Sequence, residues 1–130
     1  MAKFIGAVDV IYTIGKNEVM TQNPFMFESD VLNSTVTVPK GFITDFATVP
    51  KKLHNIIGPS DTCIREAAVV HDYMYSKLTN VYSRKQADQT LVEGMIVLGA
   101  AWWKRNLVYA AVRLFGGSHW NNRLFKKEKK

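Results

Sequence analysis

A histidine and an aspartate stand side by side at His71-Asp72, followed by Tyr73 and Tyr75, inside a segment that otherwise reads as buried helix. Ile64, Ala67, Ala68, His71 and Tyr75 recur at spacings of three and four residues, which places the histidine on an apolar stripe. Such a stripe admits an imidazole only with partners for its ring nitrogens. Asp72 lies about 100° further round the helix, so one of the pair can face the core while the other reaches a cleft edge. A histidine backed by a carboxylate has a fixed tautomer and raised basicity, which is what general-base chemistry requires. The plainer reading of His71 is a structural histidine satisfied in the core.

The candidate carboxylate is Asp88. It shares a stripe with Leu91, Val92 and Met95 on a helix opened by Ser83-Arg84-Lys85-Gln86, a capping box with serine first and glutamine three residues later. The short connection Lys77 to Tyr82 forces this helix to pack antiparallel on the one before it. That packing brings Asp88 toward His71 or Tyr75. The alternative partner is Arg84, four residues back, in an exposed ion pair worth a few tenths of a kcal/mol. Thr44-Asp45 is a second polar pair in apolar surroundings. Asp45 could cap the following turn through an Asx interaction or serve as a metal ligand.

The elements that must hold these groups follow from pattern and punctuation. Val8 to Ile14 is β-rich with a turn at Gly15-Lys16-Asn17; Thr35 to Val38 alternates, Pro39-Lys40-Gly41 breaks it, and Phe42 to Phe46 resumes. Thr48 reads as an N-cap with Pro50 in the first turn of a short helix to about Ile57. Gly58 to Thr62 leads into the helix of His71, Gly99 closes the helix of Asp88, and a last helix runs from about Trp102 to Leu114 and ends at Gly116-Gly117. Strands first and helices after predict an α+β fold, a small N-terminal antiparallel sheet with a short helix and three main helices packed on it. One domain is expected over 1–130, strand-rich to 46, helical over 47–116, with a basic tail at 117–130.

Composition limits the function classes. The single cysteine, Cys63, excludes an intramolecular disulfide and, at a helix start that could lower a thiol's pKa, reads rather as a small buried hydrophobe. Phe4 to Val8 is broken by Asp9 and lacks a small-residue cleavage site, and Met95 to Trp103 is about half the length needed to span a bilayer. A soluble chain made in the cytoplasm and not exported by a signal of its own is the expectation. From Lys104 onward eight basic side chains face the single acid Glu128, so the surplus charge belongs to the last helix and tail. Such a terminus makes weak, salt-sensitive contact with anionic surfaces, and no specific nucleic-acid binding is expected. Trp102, Trp103, Trp120 and Phe125 keep a lipid or partner surface in play, but they are too irregular for a single-strand stacking platform. Zinc is disfavoured, since His54 and His119 lie in segments separate from His71.

Three blocks carry a resemblance. Gly41-Phe42-Ile43-Thr44-Asp45-Phe46-Ala47-Thr48-Val49-Pro50, then Arg65-x-Ala67-Ala68-x-x-His71-Asp72-Tyr73-x-Tyr75, then Ser83-Arg84-x-x-Ala87-Asp88 resemble a domain-of-unknown-function family of tailed phages and prophages. The similarity runs from about Thr35 through Val112-Arg113-Leu114-Phe115-Gly116 and implies a viral or prophage source, with synthesis in the host cytoplasm and incorporation in the virion as one destination. More loosely, the helix pair is similar to the active-site helices of secreted phospholipases of the A-two type. That resemblance implies His71 as base, Asp72 as calcium ligand, Asp88 as the acid orienting the histidine, and Tyr75 as its support. The paired cysteines and glycine-rich calcium loop of those enzymes are missing here. Calcium takes six to eight oxygens, so the segments Gly41 to Asp45 or Gly58 to Asp61 would have to complete the shell begun by Asp72.

Two readings result. In the first the protein is a hydrolase acting on an ester or related bond of the host envelope, with a cation or fixed donors stabilising the oxyanion. In the second it is a non-enzymatic virion or host-interaction protein. Asp45, Arg65, His71, Asp72 and Asp88 then form a buried polar network, supported by Thr44, Thr48 and Arg84, that holds sheet to helices. A cleft exposing His71 points to the enzyme, and a wholly buried His71 to the network.

Overall fold

Phe25, Phe27 and Ser29 alternate with Met26 and Glu28, and this period of two builds the central strand of the larger sheet, its odd residues buried. The computed structural model describes residues 1–6, 10–12, 19–44, 63–117 and 119–120. In chain order these form β1 (Lys3–Ile5), β2 (Val10–Tyr12), β3 (Val19–Thr21), β4 (Phe25–Ser29), β5 (Ser34–Val38), β6 (Ile43–Thr44), α1 (Arg65–Lys77), α2 (Arg84–Val97) and α3 (Trp102–Phe115). The architecture is α+β, with antiparallel strands first and three helices after.

Among the described residues the antiparallel strands are ordered β1-β4-β5 and β2-β3-β6. The strand expected over 35–38 is β5, with Phe27 opposite Val36 and Phe25 opposite Val38. β1, β3 and β4 were not read from the sequence. They are short, and β1 shows no alternation over three residues (Lys-Phe-Ile). Within Val8 to Ile14 the strand is described at Val10–Tyr12, and within Phe42 to Phe46 at Ile43–Thr44. The helix expected from Thr48 to Ile57 lies outside the described residues.

The turn joining β4 to β5 is tied to the helical layer. Asn33 takes a left-handed φ of 51°, which asparagine tolerates. Glu93 of α2 then receives the Ser29 hydroxyl on Oε1 (2.6 Å) and the backbone N–H groups of Asp30 (2.8 Å) and Val31 (3.1 Å) on Oε2.

α1 lies against β5, β6 and α2, while α2 also meets β1, β4 and α3. That central place explains why α1 buries more than a stripe: Val69, Val70 and Met74 are as inaccessible as Ala67, Ala68 and Tyr75. α2 begins at the expected capping box, Ser83 Oγ accepting from the Gln86 N–H while the Gln86 side chain accepts from the Ser83 N–H. Gly99, at φ +83°, follows its C-terminal end, a backbone state that L side chains rarely adopt. α1 and α2 approach closely at Ala67 and Gly94, where a Cβ on the glycine would lie 2.8 Å from that of Ala67. No helix among the described residues is long and apolar enough to cross a membrane.

Candidate functional site

Small residues at the helix crossing let the polar residues further along meet. His71 and Tyr75 stand one turn apart on α1, and Arg84 and Asp88 one turn apart on α2. Running antiparallel, the helices bring Asp88 Oδ1 to 2.7 Å from His71 Nε2, and the Tyr75 hydroxyl donates to that same oxygen at 2.6 Å. The contact expected from helix geometry is therefore present, and the alternative Arg84–Asp88 pair is not what occupies the carboxylate. The other oxygen, Oδ2, accepts from Arg113 Nη1 of α3 at 2.8 Å.

Arg84 instead reaches past the cluster. Its Nε donates to the Tyr75 oxygen at 3.2 Å, and its Nη2 donates to the carbonyls of Val112 (2.7 Å) and Arg113 (2.8 Å). Both carbonyls lie in the last turn of α3, where the Val112 oxygen also accepts from the Gly116 N–H at 2.8 Å, and a guanidinium is well matched to a helix C-terminal end. Trp120 stacks edge-on against Tyr75, with ring centroids 5.0 Å apart. Gly116 and Gly117 leave room for this closure: a Cβ on Gly116 would lie 2.9 Å from the Tyr75 hydroxyl, and one on Gly117 would lie 3.3 Å from the Arg84 guanidinium. Arg113 and Trp120 were not picked out as site residues from the sequence. Each comes from a different part of the chain, and no spacing rule links either to α1 or α2.

Electrostatics fixes the protonation of the cluster. Burial by itself raises the Asp88 carboxyl pKa. The hydrogen bond and charge of His71, with the bonds from Tyr75 and Arg113, outweigh it and hold the group below the ordinary carboxylate range. An ionised carboxylate only accepts, so the His71 Nε2–H donates to Asp88. Burial, and then the bond and charge of Asp88, push the Tyr75 phenol well above its usual range. Arg113 is raised by its bond to Asp88.

Asp72 does not reach a cleft edge. It is buried at the face of α1 toward β6, where the Thr44 hydroxyl donates to its Oδ2. β6 is anchored there because Thr21 of β3 bonds on both sides of the intervening turn, donating to the Pro39 carbonyl (2.8 Å) and accepting from the Phe42 N–H (2.9 Å). Arg65 stands apart from the His71 cluster. It is half-buried, with Glu66 Oε1 3.7 Å from its Nε. Asp45, Thr48 and His54 lie outside the described residues. Cys63 is half-buried just before α1. Among the described residues no group of three His, Cys, Asp or Glu side chains could hold a metal ion. Of the other segments expected to complete a calcium shell, Asp45 and Gly58 to Asp61 lie outside the described residues.

The described arrangement is a His–Asp couple with a tyrosine and an arginine on the same carboxylate, built on an antiparallel helix pair of an α+β domain. A family profile matches residues 19–112, and the chain belongs to the family described as protein of unknown function (DUF1353). The match takes in Thr44, His71, Asp72, Tyr75, Arg84 and Asp88 and stops one residue short of Arg113. No curated protein and no solved structure matches the chain.

Proposed function

We propose that this is a phage-encoded hydrolase acting on an ester or related bond of the host envelope, with His71 as general base. The observation that carries this reading is the shared Asp88 oxygen, which receives both His71 Nε2 and the Tyr75 hydroxyl. A histidine, a tyrosine one turn on, and an orienting aspartate from the neighbouring helix are the arrangement implied by the phospholipase resemblance. Here His71 would take the proton of a water. Asp88 would stabilise the imidazolium that forms, and Arg113 would keep Asp88 ionised. No step is assigned to calcium, because the described residues do not complete a site for it.

One observation favours a second reading. The His71 side chain is 0% exposed, as is that of Asp88. The cluster also joins all three helices, as a buried network in a virion or host-interaction protein would. Incubating the purified protein with envelope phospholipid and peptidoglycan, with His71→Ala as control, separates the two. Hydrolysis lost in the folded variant supports the enzyme, whereas no hydrolysis together with an unfolded variant leaves the network.

A further inference from the structure

We propose that the outer face of α3 is a docking surface for anionic phospholipid bilayers. α3 buries only Val108, Ala111 and Val112 against the rest of the protein. On the opposite side Trp102, Asn106, Ala110 and Leu114 recur every fourth residue with Trp103 beside them, and all five are exposed. Trp102 and Leu114, at the two ends of this face, are 68% and 74% exposed, and Phe115 follows at 62%. A helix apolar on both sides is normally covered on both.

The charges say what covers it. α3 carries Lys104 and Arg105 and no acid, besides the Arg113 that pairs with Asp88. Lys104 Nζ sits 5.8 Å from the centre of the Trp103 ring, so a cation and an indole share this surface. The chain from Lys104 onward has a surplus of seven positive charges. A second copy of the same face would set like charges against one another, which opposes a symmetric pairing. Bilayers containing acidic lipid offer the complement: a negative plane for the basic side chains and an interfacial zone suited to tryptophan.

The surface deepens the hydrolase reading by naming a lipid plane as its place of work, but binding is measurable without turnover. Vesicles of ether-linked phosphatidylglycerol and phosphatidylcholine offer no carboxylic ester to cleave, so failure to bind and failure to hydrolyse are read separately. The full-length protein should co-sediment with these vesicles and not with phosphatidylcholine alone. In a Trp120→Phe background its tryptophan emission should shift to the blue on binding. Trp102→Ala/Trp103→Ala should weaken binding by at least about tenfold with the far-ultraviolet circular dichroism unchanged. Leu114→Glu should do the same and serves if the double variant loses structure. The proposal is overturned by absence of binding, by binding that both variants leave intact, or by self-association of the free protein that the same substitutions abolish.

Discussion

Gly94 faces Ala67 where α1 crosses α2, and a methyl group on the glycine would lie 2.8 Å from the Ala67 Cβ. The spacing of the two helices, and hence the distance from His71 to Asp88, is set at this crossing. Gly94→Ala gains about 1 kcal/mol in helix propensity but overpacks a contact with no flexible side chain to yield, typically at a cost of about 1–3 kcal/mol. The expected result is a lower urea midpoint, restored in Gly94→Ala/Ala67→Gly. An unchanged midpoint in the single variant would show that the crossing is looser than described.

Substitutions in the polar cluster should separate chemistry from stability. With His71 as base, His71→Ala remains folded and loses about a hundred- to ten-thousandfold in turnover. Asp88→Asn loses nearly as much, because the imidazole loses its anionic partner. As a purely structural cluster, each change costs about 1–3 kcal/mol, and no activity disappears independently of melting temperature. Thermal unfolding and turnover measured on the same samples distinguish these patterns.

Stability should fall at both ends of the pH range. The Asp88 carboxyl is held below its ordinary value in the folded protein, so its contribution is complete above about pH 4 and is lost as acid protonates it. The Tyr75 phenol is held above its ordinary value. Its contribution is complete below about pH 10 and declines as the unfolded chain gains the advantage of ionising. Denaturation midpoints across pH should show both limbs, with Asp88→Asn flattening the acid limb and Tyr75→Phe the alkaline one.

Calcium is the ion implied for Asp72, with Asp45 as a second ligand. Were it held there, a hundredfold excess over its dissociation constant would stabilise the fold by about 2.7 kcal/mol, and Asp72→Asn would abolish the shift. A thermal melt of chelator-treated protein that ignores added calcium removes the ion from the scheme.

Helix pairing was legible because three local signals agreed. The capping box at Ser83, the stripe positions of His71 and Asp88, and the short link between the helices together force one juxtaposition. The strands were less so: β1 and β3 have three residues each, too few to show a period, and Phe25-Met26-Phe27-Glu28-Ser29 of β4 alternates in burial but not in polarity. Asp72 was misplaced for a different reason. Helix geometry gives its angle from His71, but not that β6 lies on that side and makes the position buried. Arg113 and Glu93 escaped notice because each acts across more than 20 residues of sequence: Arg113 reaches Asp88 at a separation of 25, and Glu93 reaches Ser29 at a separation of 64. Such contacts exist only once the chain has folded back on itself.

The hold of Glu93 on the β4–β5 turn has a consequence for how the protein is made. During synthesis the amides of Asp30 and Val31 leave the ribosome long before the carboxylate that accepts them, which follows 63 and 62 residues later. Until α2 emerges, that hairpin must keep its turn hydrated and its apolar face uncovered. β1 joins that hairpin as a third strand, but Phe25, Phe27, Val36 and Val38 are buried only once helices cover them, so the N-terminal strands should gain lasting order only when the second helix arrives. The protein would then be a single post-translational folding unit, in which shortening the chain before Glu93 releases the strands as well as removing helices.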